Sequence, residues 1–280
     1  MRVAWSAGLA LAVVVAAPVR GEEWSRKYPL KGRADVHVKT DDGSVRIESG
    51  AASEIDARVV TEGWRIAPGE VKITESQTGD RVDLEVRLPT TIGFRTGKRS
   101  ISVVLRVPRE ADLEVHTGDG SIDAQPVTGR LRLSTGDGSI TADGLQGEVR
   151  LHTGDGSIRA TGLTGRLQAD TGDGHLSVRG RFDVLDLRTG DGGIEAAAER
   201  GSRVEAPWSL RSGDGGITLR VSEDLGASLD AHTGDGGIVL DKAVTVTGTI
   251  RENTLRGTLG PGGLALQIHT GDGSIRLTGL

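Results

Sequence analysis

The tetrapeptide Thr-Gly-Asp-Gly, once as Ser-Gly-Asp-Gly, begins at Thr117, Thr135, Thr153, Thr171, Thr189, Ser212, Thr233 and Thr270. A looser copy, Thr-Asp-Asp-Gly, stands at 40–43. The first five copies are spaced by 18 residues every time, and the later gaps are 23, 21 and 37. A fixed internal period restricts a chain to stacked repeat architectures more tightly than any local motif does.

Around each corner the apolar residues alternate with period two. Leu131 and Leu133 lead into Thr135, and Ile140 and Ala142 follow it; Val149, Leu151, Ile158 and Ala160 do the same around Thr153. Such alternation predicts short strands with one buried face, while Glu114, His116, Arg132, Arg150 and His152 face water. Two short strands cannot bury their own apolar face, but equivalent coils piled about 4.8 Å apart give each amide a partner and each Leu or Ile a like neighbour. The expected fold is therefore all-β, a β-solenoid or β-helix of approximately 18-residue coils, with a β-sandwich as its competitor. Ile122, Ile140, Ile158, Leu176 and Ile194 should form one interior ladder. At the corners, Gly is expected to supply positive φ, and Asp to accept hydrogen bonds from turn amides.

The chain divides into residues 1–21, an irregular β-rich region at 22–110 that caps the stack, and repeats at 111–280 with an irregular insertion near 243–263. Residues 89–99 read as a surface loop. The first segment has a basic residue, an apolar run and small residues before Glu22, which is the pattern of a secretory signal peptide and too short for a convincing membrane span. After its removal no stable membrane span is expected, and the mature protein should lie in the periplasm or outside the cell.

Composition narrows the chemistry. The 43 Gly punctuate a regular pattern without a collagen period. Two Phe, one Tyr and four Trp leave the core to aliphatic side chains, and the absence of Cys removes disulfides, thiolate metal sites and thiol nucleophiles. A formal charge of −5 argues against nucleic-acid partners, which need a basic face.

The passage from Val107 to Ile122, with Pro108, Leu113, Val115, Thr117, Gly120 and Ile122 in register, resembles the DUF4097 family of bacterial β-strand repeat proteins. That resemblance runs over about residues 33–280. It implies a β-helical architecture outside the bacterial cytoplasm, carries an adhesin label, and supplies no catalytic residue.

Three functional readings remain. A polysaccharide-active β-helix enzyme would need an acid and a base carboxylate about 5–9.5 Å apart, and Asp119, Asp137, Asp155, Asp173 and Asp191 offer such spacings. All five share one environment, however, so nothing drives their pKa values apart. Trp208, the one aromatic beside a corner, has core-facing parity. The same five aspartates are the metal alternative, since neighbours about 4.8 Å apart repel by about 0.9 kcal/mol at water-like dielectric and Ca²⁺ would offset this. Metal-free corners are the expected outcome. His37, His116, His152, His175, His232 and His269 read as surface strand residues, and no cofactor motif is present, because the corners lack the Lys-Thr or Lys-Ser of a phosphate loop. The third reading, a non-catalytic binding or envelope scaffold for an unknown surface ligand, fits outward columns of mixed charge. Because the chain stops just after a complete corner, its last coil is expected to expose an edge at Ile275 and Leu277 and to promote self-association through the solenoid ends.

Overall fold

The computed structural model describes residues 21–89, 99–241 and 245–280. The leader and most of the 89–99 loop lie outside these residues. The described chain is all-β. Its N-terminal part contains β1 (Glu23–Pro29), β2 (Ala34–Thr40), β3 (Ser44–Ser49), β4 (Glu54–Glu62), β5 (Lys72–Thr78), β6 (Arg81–Arg87) and β7 (Ser100–Val107). The regular repeats give β8 (Ala111–Thr117), β9 (Ile122–Ala124), β10 (Thr128–Thr135), β11 (Ile140–Asp143), β12 (Gln146–Thr153), β13 (Ile158–Thr171), β14 (Leu176–Thr189) and β15 (Ile194–Ala198). The chain continues through β16 (Trp208–Ser212), β17 (Ile217–Val221), β18 (Ala227–Thr233), β19 (Ile238–Leu240), β20 (Val246–Ile250), β21 (Thr254–Leu259), β22 (Ala265–Thr270) and β23 (Ile275–Gly279).

Strands one repeat apart pair in parallel and in register along both apolar rows, with register shifts between the rows, where β13 meets β14, at Ala160–Leu163 and Gly165–Arg166. Leu113, Leu131, Val149, Leu167 and Leu185 fall in one row before the corners, and Ile122, Ile140, Ile158, Leu176, Ile194 and Ile217 in another after them. This is the ladder the spacing predicts, and every member is buried. One contiguous apolar cluster takes in both rows. Full burial of each Leu or Ile contributes on the order of 1.5–3 kcal/mol relative to exposure, so the stack holds itself together without large aromatic rings. The exception is where the period lengthens to 23: Trp208 and Phe182 are both buried there, edge to face with ring centroids 6.4 Å apart, and the Trp208 indole N–H donates to the Asp183 carbonyl at 3.2 Å. Strands β13 and β14 run through from one row to the other, so all 23 strands join in one continuous sheet rather than two separate ones.

Coil order departs from chain order at both ends. β2 lies between β6 and β8, and β3 between β7 and β9. In the same way β22 lies between β16 and β18, and β23 between β17 and β19. The C-terminal coil is therefore internal: Ile275 and Leu277 are buried with neighbours on both sides, which corrects the expectation that they form an exposed edge. Beyond these coils the pairing turns antiparallel, through β4 with β7 and β1 with β4, β5 with β6, β18 with β21, and β20 with β21. The 37-residue gap before Thr270 thus holds a hairpin that covers one end before the chain returns inside. Reversing strand direction ends a parallel stack while still pairing the backbone of its last coils.

Candidate functional site

Each corner is built from its Thr or Ser. The side chain has core parity and is buried, and in that position a hydroxyl must both donate and accept. Thr135 Oγ1 donates to the Gly120 carbonyl of the neighbouring coil at 2.8 Å and accepts the Gly138 N–H of its own corner at 3.2 Å. Thr153, Thr171, Ser212 and Thr233 repeat both bonds. The backbone also bonds through the corner, with Gly154 N–H donating to the Gly136 carbonyl and Gly172 N–H to the Gly154 carbonyl, each at 2.6 Å. The hydrogen-bond ladder of the strands therefore does not break where the chain turns.

This geometry corrects the reason for the glycines. None of the Thr-Gly-Asp-Gly glycines has positive φ. They are glycine because successive corners approach too closely for a side chain: a Cβ on Gly138 would stand 2.2 Å from the Gly120 carbonyl oxygen, and one on Gly156 2.0 Å from that of Gly138. The left-handed conformation belongs to the other corner, where Gly147 and Gly165 take φ of 107° and 114°.

Asp119, Asp137, Asp155, Asp173 and Asp191 are exposed and, by register, fall in one column with Asp42, Asp214, Asp272 and Asp235. The five carboxylates accept no hydrogen bond among the described residues, so the expected turn-amide contacts are not formed; only the backbone N–H of Asp137, Asp155 and Asp191 bonds across coils, at 3.3 Å. Nothing in the structure explains why Asp recurs there. Among the described residues no group of three or more His, Asp or Glu is arranged to hold a metal ion.

The outward face of the pre-corner strands carries the remaining chemistry. One row reads Asp83, His37, Glu114, Arg132, Arg150, Gln168, Asp186, Ser209, Gln267, Asp230. The next reads Glu85, Lys39, His116, Ser134, His152, Asp170, Arg188, Arg211, His269, His232. Along most of this face the charges satisfy one another: Arg150 pairs with Glu148 at 2.6 Å, Arg188 with Asp186 at 3.2 Å, and His152 with Asp170. Such exposed pairs are worth about 0–1 kcal/mol each. Asp112 is the most enclosed of these carboxylates. Burial pushes its pKa up, but the Arg130 amide at 2.9 Å, the Arg130 guanidinium at 3.2 Å and the Arg33 guanidinium at 3.0 Å together hold it below the ordinary range.

Grooves open near both ends of this face. The N-terminal groove, about 500 Å³, brings His37 and His116 together with Glu75, Asp83, Glu85 and Glu114. Its His37 is already engaged, by Asp35 at 2.9 Å and Glu114 at 3.4 Å. The C-terminal groove, about 520 Å³, is lined by His232, Thr249, Arg251, Thr254, Arg256 and His269. Its histidines are 37 residues apart in sequence but directly opposed on β18 and β22, with ring centroids 6.1 Å apart. Sequence reasoning places both outward and misses the pairing; their shared position before a corner was the available signal, and the coil order that makes them neighbours was not.

The Toastrack DUF4097 family model matches residues 34–278, so the chain belongs to that family. No curated protein matches the chain. Similar solved structures include a candidate adhesin of Parabacteroides merdae (13% identity, 91% of this chain and 96% of that one, TM-score 0.47) and a candidate lipid-binding protein of Parabacteroides distasonis (13%, 92% and 97%, 0.47). A candidate cell-adhesion protein of Clostridium sporogenes aligns at 13% identity over 93% of this chain and 100% of that one, with a TM-score of 0.33. Likeness at these levels says nothing about a ligand.

Proposed function

We propose that this chain is an exported, non-catalytic β-solenoid that works by binding, as an adhesin-like or envelope scaffold protein. The observation that carries the reading is the uniformity of the corners. Side chains able to do chemistry recur in equivalent exposed positions, and among the described residues no aspartate of the corner column is set apart from its neighbours by burial or by a hydrogen bond that its carboxylate accepts. Acid–base catalysis requires two carboxyls whose environments differ. The long outward face, by contrast, offers an extended surface whose charges are mostly paired.

Export rests on the leader pattern at 1–21. Among the described residues no helix is long and apolar enough to cross a membrane. Self-association, where it occurs, uses the outer strands β1 and β5 at one end and β19 and β20 at the other, since Ile275 and Leu277 are enclosed. The corner aspartates act without metal in this reading, with calcium stabilisation as its alternative. The test is a polysaccharide panel assayed for both retention and turnover by the mature chain. Retention without turnover is expected; turnover lost on changing one corner aspartate would replace the scaffold by an enzyme.

A further inference from the structure

The C-terminal groove differs from the rest of the outward face in what its charges lack. Its lining holds two arginines, two histidines and two threonine hydroxyls, and no carboxylate. Arg251 makes no side-chain hydrogen bond or ion pair among the described residues, whereas Arg256 donates through Nε to Asp230 at 3.2 Å and keeps the rest of its guanidinium free. His269 Nδ1 is shielded from solvent and has no hydrogen-bond partner among the described residues. His232 Nδ1 lies 3.1 Å from the Asn253 carbonyl, which fixes that nitrogen as the protonated one and leaves Nε2 for another partner.

The donors come from four places: His232 on β18, His269 on β22, Thr249 and Arg251 at the end of β20, and Thr254 and Arg256 on β21. Strands β20, β21, β18 and β22 are neighbours in one sheet, so these side chains stand side by side on one face, and Arg251 with the free part of the Arg256 guanidinium offers more donors than the two a planar carboxylate takes, which suits the three oxygens of a phosphate group. The volume is several times that of a bare ion and falls in the range of small-molecule sites, and the threonines suit hydroxyl groups. We propose that this groove binds a phosphate group carried on a small polar molecule such as a sugar. The site rests on the binding function proposed above and gives it a ligand class.

His269 makes the site pH-dependent. Burial lowers the pKa of His269, the Asp230 carboxylate raises it, and the positive charges of Arg211, His232 and Arg256 lower it again, leaving it below the ordinary value. Arg251 faces the same space, and Asp230 is the nearby carboxylate already engaged by Arg256. A bound phosphate favours protonated His269, while the phosphomonoester itself loses its second negative charge as pH falls through about 6, so the two titrations oppose one another and the part due to His269 is read from the difference between the native chain and His269→Gln.

Calorimetric titration of the full mature chain with inorganic phosphate, glucose 6-phosphate, glucuronate and glucose, at pH 5.5 and 7.5, tests the site. Glucose 6-phosphate is expected to bind once per chain at both pH values, with inorganic phosphate weaker and glucose silent. Arg251→Gln and His269→Gln should each weaken it about tenfold or more with an unchanged melting temperature, and the loss on His269→Gln should be larger at pH 5.5 than at pH 7.5. Absence of binding by either phosphate, preference for glucuronate, or affinity untouched by Arg251→Gln overturns the site while leaving the scaffold reading intact. Hydrolysis of glucose 6-phosphate would overturn the non-catalytic reading instead.

Discussion

Replacing Thr153 by Val keeps the shape of a β-branched side chain and removes one hydroxyl. That hydroxyl donates to the Gly138 carbonyl at 2.7 Å and accepts the Gly156 N–H at 3.2 Å, and the residue is fully buried. A buried polar group left without its partner costs about 1–3 kcal/mol, and because Gly156 is only half-buried the two losses together come to about 2–4 kcal/mol. Thr153→Ser is the control: it keeps both bonds and loses a methyl group, as Ser212 does naturally in its own corner, and should cost about 1 kcal/mol or less. Urea unfolding of the leaderless chain followed by circular dichroism measures both. If Val is no worse than Ser, the hydroxyl is not what joins the corners, and their architecture has been misread.

Gly156→Ala should destabilise by at least as much as Thr153→Val, since its Cβ would stand 2.0 Å from a backbone oxygen; a soluble, equally stable variant in thermal melts would refute the close-approach argument. Asp155→Asn should be neutral or raise the melting temperature, by removing two neighbour repulsions of about 0.9 kcal/mol each before salt screening. Melts with chelator and with millimolar calcium should then agree within a few degrees, and a large calcium-dependent rise with several ions bound per chain would establish the metal-stabilised alternative. The folded-state pKa of Asp112 is depressed, so its contribution is present above the ordinary Asp range and is lost as pH falls through the folded value. Asp112→Asn should accordingly flatten the acid limb of a stability-versus-pH curve, and an unchanged acid limb would show that the Arg33 and Arg130 contacts do not matter. Ile158→Asp puts an unpaired charge in the middle of the ladder and should prevent folding, as read by protease resistance.

Local pattern made the interior legible. Leu131, Leu133, Ile140 and Ala142 alternate because adjacent residues of a strand face opposite sides, and the 18-residue spacing passes that alternation from coil to coil. The corner chemistry was legible only in part. Thr at core parity implied a buried hydroxyl, but Gly in a corner signals either positive φ or close approach, and only the stacked neighbour distinguishes them. Gaps of 21 and 37 residues do not state which coil rests on which, so the enclosure of Ile275 and the meeting of His232 with His269 could not be read from spacing. The basic groove follows from that coil order, because Arg251 and Arg256 reach the two histidines through the hairpin that the long gap contains.

The coils stack in parallel register, with the C-terminal coil threaded between those of Ser212 and Thr233. The absence of native cysteine allows a direct measurement. Thr218 on β17 opposes Arg276 on β23, and Arg276 opposes Val239 on β19, so Thr218 and Val239 stand two strand spacings apart, about 9.6 Å. A disulfide spans Cα atoms about 4.4–6.8 Å apart. Under mild oxidation the double variant Thr218→Cys/Arg276→Cys should close its disulfide within one chain without losing stability, while Thr218→Cys/Val239→Cys stays reduced. Closure of the second pair and not the first would mean that the coils stack in chain order, and the threaded architecture and the groove built on it would both be wrong.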